Sequence, residues 1–310
     1  MKPAVNGPKA DVVWMDGEMV PWNDANIHVT SHVIHYGSGC FEGCRVYDHP
    51  KGPAMFRMRA HVRRLFESAK MLRMEIPYTQ DEILQAIRET VRANNLTACY
   101  VRPVVYRGAG PMGVNPLRNP TQVFIAVWQW GKYLGDDALT QGVDVCVSSF
   151  NRMSPNTHFP MGKLTGNYVN SQLAKMEAVL GGFAEAIMLD HQKNVSEGSG
   201  ENLFMVRDGK IFTPALGSSI LGGITRDAVG KLAAEMGMDV RERPIAREML
   251  YIADELFFTG TAAEITPIRS VDRLPVGNGS RGPVTERLQK AFFDVLEGRA
   301  DDRFEWLEHL

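Results

Sequence analysis

Four cysteines in 310 residues, none in a C-x-x-C pair, are too few and too scattered for a disulfide framework. Cys40 and Cys44 stand four apart without paired His or Cys ligands nearby, so no metal site is expected. The four thiols read instead as reduced and mostly buried. Charge of one sign is also missing: 34 basic against 36 acidic residues leave a formal net charge of -2. Such a balance gives no electrostatic reason to expect nucleic acid or an anionic membrane as partner. No uninterrupted apolar run approaches the roughly 20 residues of a membrane span. Residues 1–13 lack the apolar core of a secretory leader, so a cytoplasmic location is expected. A P-loop, a G-x-S-x-G elbow and a zinc signature are absent as well.

What is present is an interspersed set of strands and helices, long enough for one large domain or two moderate ones. Residues 12–15 and 18–20, joined at Asp16-Gly17, read as a hairpin. Helical spacing of Leu65, Ala69 and Leu72 predicts a helix over 56–74, and a capping box at Thr79-Gln80-Asp81-Glu82 opens a second over 79–95. Strands are expected at 100–106, 121–128, 143–150, 184–189, 203–207 and 210–213, the last two joined by Asp208-Gly209. Further helices are expected at 167–180, 225–237 and 285–296. The absence of a regular βαβ rhythm argues against a doubly wound sheet and for two mixed α/β domains. The expected division is an α/β domain over 1–130, a Gly- and Asp-containing connection over 131–142 and a second domain over 143–310.

Four glycine-rich polar segments are candidates for chemistry. Met161-Gly162-Lys163-Leu164-Thr165-Gly166 precedes a helix, where an inward lysine would be desolvated and nucleophilic. A loop lysine taken alone is solvated and functionless in about nine cases of ten. Ser196-Glu197-Gly198-Ser199-Gly200-Glu201-Asn202 is either a surface turn or a source of a buried carboxylate for the ring nitrogen of a pyridine cofactor. Leu221-Gly222-Gly223-Ile224-Thr225 starts a helix with backbone N–H groups and a hydroxyl, which makes either an anion site or a plain cap. Thr259-Gly260-Thr261-Ala262-Ala263-Glu264 is a small-residue turn whose backbone can approach a carboxylate or serve only to reverse the chain.

In this order, and with His35-Tyr36-Gly37, Phe41-Glu42-Gly43, Arg45, Tyr100-Val101-Arg102-Pro103 and Gly166-Asn167-Tyr168, the segments resemble fold-type IV aminotransferases. The likeness runs from about Trp14 to Trp306, and the first-half segments are similar to the branched-chain amino acid aminotransferases in particular. They are unlike the D-amino acid, aminodeoxychorismate and (R)-amine subgroups. The resemblance implies the two-domain D-amino acid aminotransferase-like fold, with a smaller N-terminal domain and a larger C-terminal one that binds pyridoxal 5'-phosphate. By that likeness Lys163 carries the cofactor covalently, Tyr168 bonds its phenolic oxygen and Glu197 pairs with its pyridine nitrogen. Its phosphate would lie against Arg64, with Leu221, Gly223, Ile224, Thr225 and Thr261.

The same resemblance implies reversible amino transfer from L-leucine, L-isoleucine or L-valine to 2-oxoglutarate, in a ping-pong sequence. Tyr36, Phe41, Met112, Val114, Trp130 and Tyr133 would line an apolar side-chain pocket, with Gly43, Arg45 and Tyr100 beside it. Arg102 would clamp the distal carboxylate of glutamate, unless it serves as an ion-pair partner between domains. The Thr261-Ala262 turn would hold the α-carboxylate. Family members assemble through sites near a subunit interface, so a homodimer or a larger homo-oligomer is expected.

Overall fold

The computed structural model describes residues 7–131, 134–135 and 137–310. The chain divides into two compact units. The first holds the chain up to Gly131 together with Gly162–Gly166 and Leu296–Leu310, and the second holds the remainder. A contiguous cut between 130 and 143 is therefore too simple. The lysine loop and the C-terminal tail return to the first unit because each hydrogen-bonds to its strands. The second unit is only slightly the larger.

In the first unit β1 (Val12–Met15) and β2 (Glu18–Pro21) form the expected hairpin, followed by the short α1 (His32–Tyr36). Then come β3 (Gly39–Phe41), β4 (Cys44–Tyr47), β5 (Ala54–Phe56), α2 (Met58–Met71), α3 (Gln80–Ala93), β6 (Cys99–Arg107) and β7 (Thr121–Trp128). Helix α2 is shorter than its periodicity suggests. Its first expected residue, Phe56, pairs within β5, and Arg57 and Arg73 at its two ends adopt left-handed φ of 51° and 53°. Helix α3 starts as expected: the Thr79 hydroxyl accepts from Glu82 N, and the Glu82 carboxylate accepts from Thr79 N at 2.7 Å.

The second unit contains α4 (Ala138–Gln141), β8 (Val143–Val147), α5 (Tyr168–Leu180), β9 (Glu185–Leu189), β10 (Val195–Gly198), β11 (Asn202–Arg207) and β12 (Lys210–Thr213). It continues with α6 (Ile224–Glu235), β13 (Val240–Glu242), β14 (Glu255–Gly260), β15 (Glu264–Val271), β16 (Leu274–Pro275) and α7 (Pro283–Leu296). The final strand, β17 (Leu307–His309), pairs with β5 in the first sheet. The expected connection over 131–142 thus carries a helical turn. The strand expected at 143–150 stops at Val147, whose N–H turns to the Asp272 carboxylate at 2.9 Å.

The first sheet runs β17-β5-β4-β6-β7-β1-β2, with β3 on β6, and its pairs are antiparallel. The second runs β10-β9-β8-β15-β14-β11-β12-β13, with β16 on β15, and mixes parallel and antiparallel pairs. In the first unit Val101, Val105, Val123, Ile125 and Val127 share a core with Val62, Leu65, Ala69, Ile83, Ile87 and Val91 of the two helices. Because side chains alternate along a strand, Tyr100, Arg102 and Val104 project from the opposite face of β6. That face is where the first unit gathers its polar candidates.

Candidate active site

Register sets the first group. Arg45 of β4 pairs with Tyr100 of β6, Tyr100 with Trp128 of β7, and Phe41 of β3 with Val104. The Arg102 guanidinium lies 4.6 Å from the Phe41 ring centroid, 5.2 Å from Tyr100 and 5.8 Å from Trp128. Rings hold it by their negative faces. Arg102 Nη2 donates to the Tyr100 hydroxyl at 3.2 Å, and its buried Nε has no acceptor. Among the described residues no carboxylate pairs with this guanidinium. Trp130 packs edge-on against Tyr100 at 4.4 Å, and Arg45 donates to Gly131 O at 3.2 Å. Gly43 lies directly under Tyr100: a Cβ there would fall inside the phenol group.

Lys163 lies beside β3. Its carbonyl accepts from Phe41 N at 3.0 Å, its N–H donates to Ser68 Oγ at 3.0 Å, and Leu164 bridges to Cys40. Its Nζ stands 5.1 Å from the Phe41 ring centroid. Thr165 donates to Gly37 O at 2.6 Å, which ties the loop at a second point. The lysine is half-buried on two backbone clips, unlike a freely solvated loop residue.

Behind it, Glu42 is wholly buried and receives a two-pronged Arg64 pair, Nε to Oε1 at 2.6 Å and Nη2 to Oε2 at 2.9 Å. His61 Nδ1 reaches Oε2 at 2.7 Å. Burial alone would raise the Glu42 carboxyl, but the Arg64 charge and the Arg64 and His61 bonds outweigh it and hold it well below the ordinary carboxylate range. Burial pushes His61 down. Glu42, Cys44 and His61 also stand close enough to hold a metal ion. Two facts argue against such a use: Arg64 already occupies the carboxylate, and burial lifts the Cys44 thiol well above its ordinary value.

The second unit carries its own group. Glu197 of β10 is 5% exposed. Its Oε1 meets Arg152 Nη2 at 2.7 Å, and its Oε2 accepts from Asn202 Nδ2 and from Leu221 N, both at 3.0 Å. These donors fix the orientation of a carboxylate that can only accept. Glu201, in the same turn, is different. Burial, and next the nearby Glu185 charge, raise its carboxyl above the ordinary range. One turn thus holds a carboxylate anchored by arginine and a second whose acidity is suppressed.

Gly223 is the N-cap of α6, so the helix starts with no side-chain cap. The N–H groups of Ile224 and Thr225 have no intrahelical acceptor and point along the positive end of the helix. Gly223 abuts the Asn202 amide so closely that a Cβ would collide with its oxygen. The fourth segment is the tip of the β14–β15 hairpin: Gly260 pairs with Glu264 across Thr261–Ala263, and Glu264 takes a left-handed φ of 55°. Thr266 Oγ1 fixes this tip by donating to Ala263 O at 2.6 Å. Tyr168 is the first residue of α5.

The first unit therefore gathers Lys163, Arg64, Phe41, Gly43, Arg45, Tyr100, Arg102 and Trp130. The second brings Glu197, Leu221 and Gly223 together and sets Ile224 and Thr225 at the helix start. Tyr36, Met112 and Val114 belong to neither group. They are 46%, 50% and 84% exposed on the first unit, where His32 bonds Gly113 O and stacks on Tyr36. Tyr133 lies outside the described residues. Arg152 and His61 carried no motif in the sequence. Glu42 and Asn202 fell inside quoted segments but received no role, because only folding reveals the partner of a buried charge.

One unit thus offers a clipped, half-buried lysine, and the other a buried carboxylate tied to the loop before a helix without a side-chain cap. The chain belongs to the family described as amino-transferase class IV, whose model matches residues 39–271. It is 52% identical over 303 residues to the branched-chain-amino-acid aminotransferase of Escherichia coli K12, covering 97% of this chain and 98% of that one. The enzyme so named in Pseudomonas aeruginosa is 51% identical over 295 residues, covering 95% and 96%. The crystal structure of the Escherichia coli enzyme superposes with a TM-score of 0.96 at 52% identity, covering 97% and 99%. That of the branched-chain amino acid aminotransferase from Thermobaculum terrenum, in its PLP-form, gives 0.91 at 36% identity, covering 97% and 99%.

Proposed function

We propose that this enzyme uses pyridoxal 5'-phosphate to move the amino group of L-leucine, L-isoleucine or L-valine to 2-oxoglutarate, giving the branched 2-oxo acid and L-glutamate. The buried Glu197 carboxylate, oriented by Arg152, Asn202 and Leu221 N, carries the reading. An oriented, buried carboxylate suits a protonated ring nitrogen. The uncapped start of α6 suits a phosphate, and the relatives' names support the substrates. When bound, the cofactor supplies an electron sink for the substrate's Cα–H bond.

The chain's residues divide the remaining work. Lys163 would hold the cofactor through Nζ, and the amine freed by an incoming substrate would take the proton from Cα and deliver it to the adjacent cofactor carbon. Glu197 keeps the ring nitrogen protonated, and Tyr168 bonds the phenolic oxygen. Arg64, Ile224, Thr225 and Thr261 bind the phosphate, with Leu221 and Gly223 shaping the loop before the helix. Phe41, Gly43, Tyr100 and Trp130 offer the substrate an apolar wall, where each buried methylene contributes about 0.8 kcal/mol. Arg45 lies at the edge of that wall. Arg102, caged by rings with its Nε unsatisfied, takes the distal carboxylate of glutamate. The Thr261-Ala262 tip takes the α-carboxylate.

Tyr36, Met112, Val114 and Tyr133 complete the pocket in an assembly of two or more copies of the chain. The exposure of the first three supports this, as does a stripe of exposed Val169, Leu173, Met176 and Val179 on α5. No helix among the described residues is long and apolar enough to cross a membrane. The four buried thiols support a reducing compartment, the cytoplasm.

The visible spectrum tests the reading. The purified protein is expected to be yellow, and L-leucine without an acceptor to remove the band while D-leucine does not. A yellow protein unmoved by L-leucine but bleached by D-leucine would give the site to the other stereochemistry. A protein that stays colourless with added pyridoxal 5'-phosphate would overturn the proposal.

A further inference from the structure

The first unit packs the buried Glu42 and His61 against the partly buried Arg64, and of these three only Arg64 has a role above. Glu42 lies in the β3–β4 connection, while His61 and Arg64 sit three residues apart on α2, so one helix turn presents both to the same carboxylate. Glu42 is ionised, because two guanidinium nitrogens and an imidazole nitrogen converge on it. A carboxylate only accepts, so His61 must carry its hydrogen on Nδ1. Its Nε2 is buried without a hydrogen-bond partner, where a second proton would have no acceptor. His61 is therefore a neutral, one-tautomer donor at neutral pH. Its bond restrains Oε2, and Oε1 and Oε2 together fix the plane of the Arg64 guanidinium.

We infer that Glu42 and His61 are positioning residues: they hold Arg64 in the single orientation from which it meets the cofactor's phosphate. The inference rests on the proposed role of Arg64. A long, flexible arginine loses much rotamer entropy when it binds an anion. Here the ion pair removes that freedom during folding, before any ligand arrives. Glu42 also offsets part of the Arg64 charge, so the anion meets an oriented donor set more than a strong bare field. The alternative is a buried ion pair that only stabilises the sheet, and it predicts nothing specific to phosphate.

The test compares two probes on the apoenzyme, pyridoxal 5'-phosphate and pyridoxal, with affinities read from tryptophan fluorescence. Arg64→Met sets the reference by reducing the preference for the phosphorylated probe. Glu42→Gln is expected to reduce that preference by about tenfold, a cost typical of losing an orienting partner behind a ligand side chain. His61→Asn, whose amide can replace the Nδ1 donor, is expected to retain most of it, and His61→Leu to lose it. In the Arg64→Met background Glu42→Gln should add nothing. If Glu42→Gln is too unstable to purify, the two His61 variants carry the test. Equal losses for both probes, or additive losses with Arg64→Met, would overturn the positioning role. If Arg64→Met itself leaves the preference intact, the phosphate assignment of Arg64 fails instead.

Discussion

Replacing Arg102 by leucine separates the two substrates that the proposed site must accept in turn. The guanidinium is partly exposed, yet among the described residues its one donated hydrogen bond goes to Tyr100 at 3.2 Å. Its charge is held by the Phe41, Tyr100 and Trp128 rings. A bound glutamate carboxylate would gain a charged hydrogen bond worth about 1.5–3 kcal/mol, and a fork of two such bonds about 3 kcal/mol after desolvation. At about 1.36 kcal/mol per decade, Arg102→Leu should lower kcat/KM for L-glutamate by roughly 150-fold. L-Leucine makes no such bond, and a leucine side chain at 102 still fills the space between the rings. Its kcat/KM should change by less than about threefold, since the loss is confined to partial repacking. Stopped-flow half-reactions, one amino acid at a time without acceptor, measure both constants on one enzyme preparation. Equal losses for the two amino acids would refute the clamp and make Arg102 a structural prop for Tyr100.

Lys163→Ala should abolish transamination while leaving the melting temperature of the apoenzyme within a few degrees, since its backbone clips to Phe41 and Ser68 remain; appreciable turnover would remove the lysine from the chemistry. Gly223→Ala drives a Cβ into the Asn202 oxygen and should weaken cofactor retention at least tenfold in dialysis, because Asn202 supports Glu197; unchanged retention would separate the two residues. The Glu42 carboxyl is depressed on folding, so its contribution is fully present above the ordinary carboxylate range and is lost as pH falls below it. Urea midpoints between pH 7 and pH 3 should therefore fall less steeply in Glu42→Gln than in the parent, and parallel curves would contradict that linkage.

Much of this molecule is local and so legible in the chain. The Thr79 capping box, the Asp208-Gly209 turn with φ of 50° and 70°, and the glycines opening α6 each encode their geometry within four residues. The alternation along β6 also follows from sequence, since a strand's period of two puts Arg102 and Val101 on opposite faces whatever they meet. The ordered segments then sufficed to identify Lys163 and Glu197 as candidates.

What surrounds those residues was decided by folding. The strands β3, β4 and β5 are three or four residues long, and only pairing with β6 and β17 makes them strands. Arg64 comes to Glu42 across 22 residues, and Arg152 to Glu197 across 45. No periodicity encodes such pairs, because the free energy of an ion pair depends on the burial that the whole fold creates. Tyr36, Met112 and Val114, pocket residues by resemblance, stand exposed on the folded unit, and no local pattern in the chain encodes that exposure. Sequence determined which groups could do chemistry. Tertiary structure decided which charges were buried together, and hence which are ionised, oriented and ready to bind.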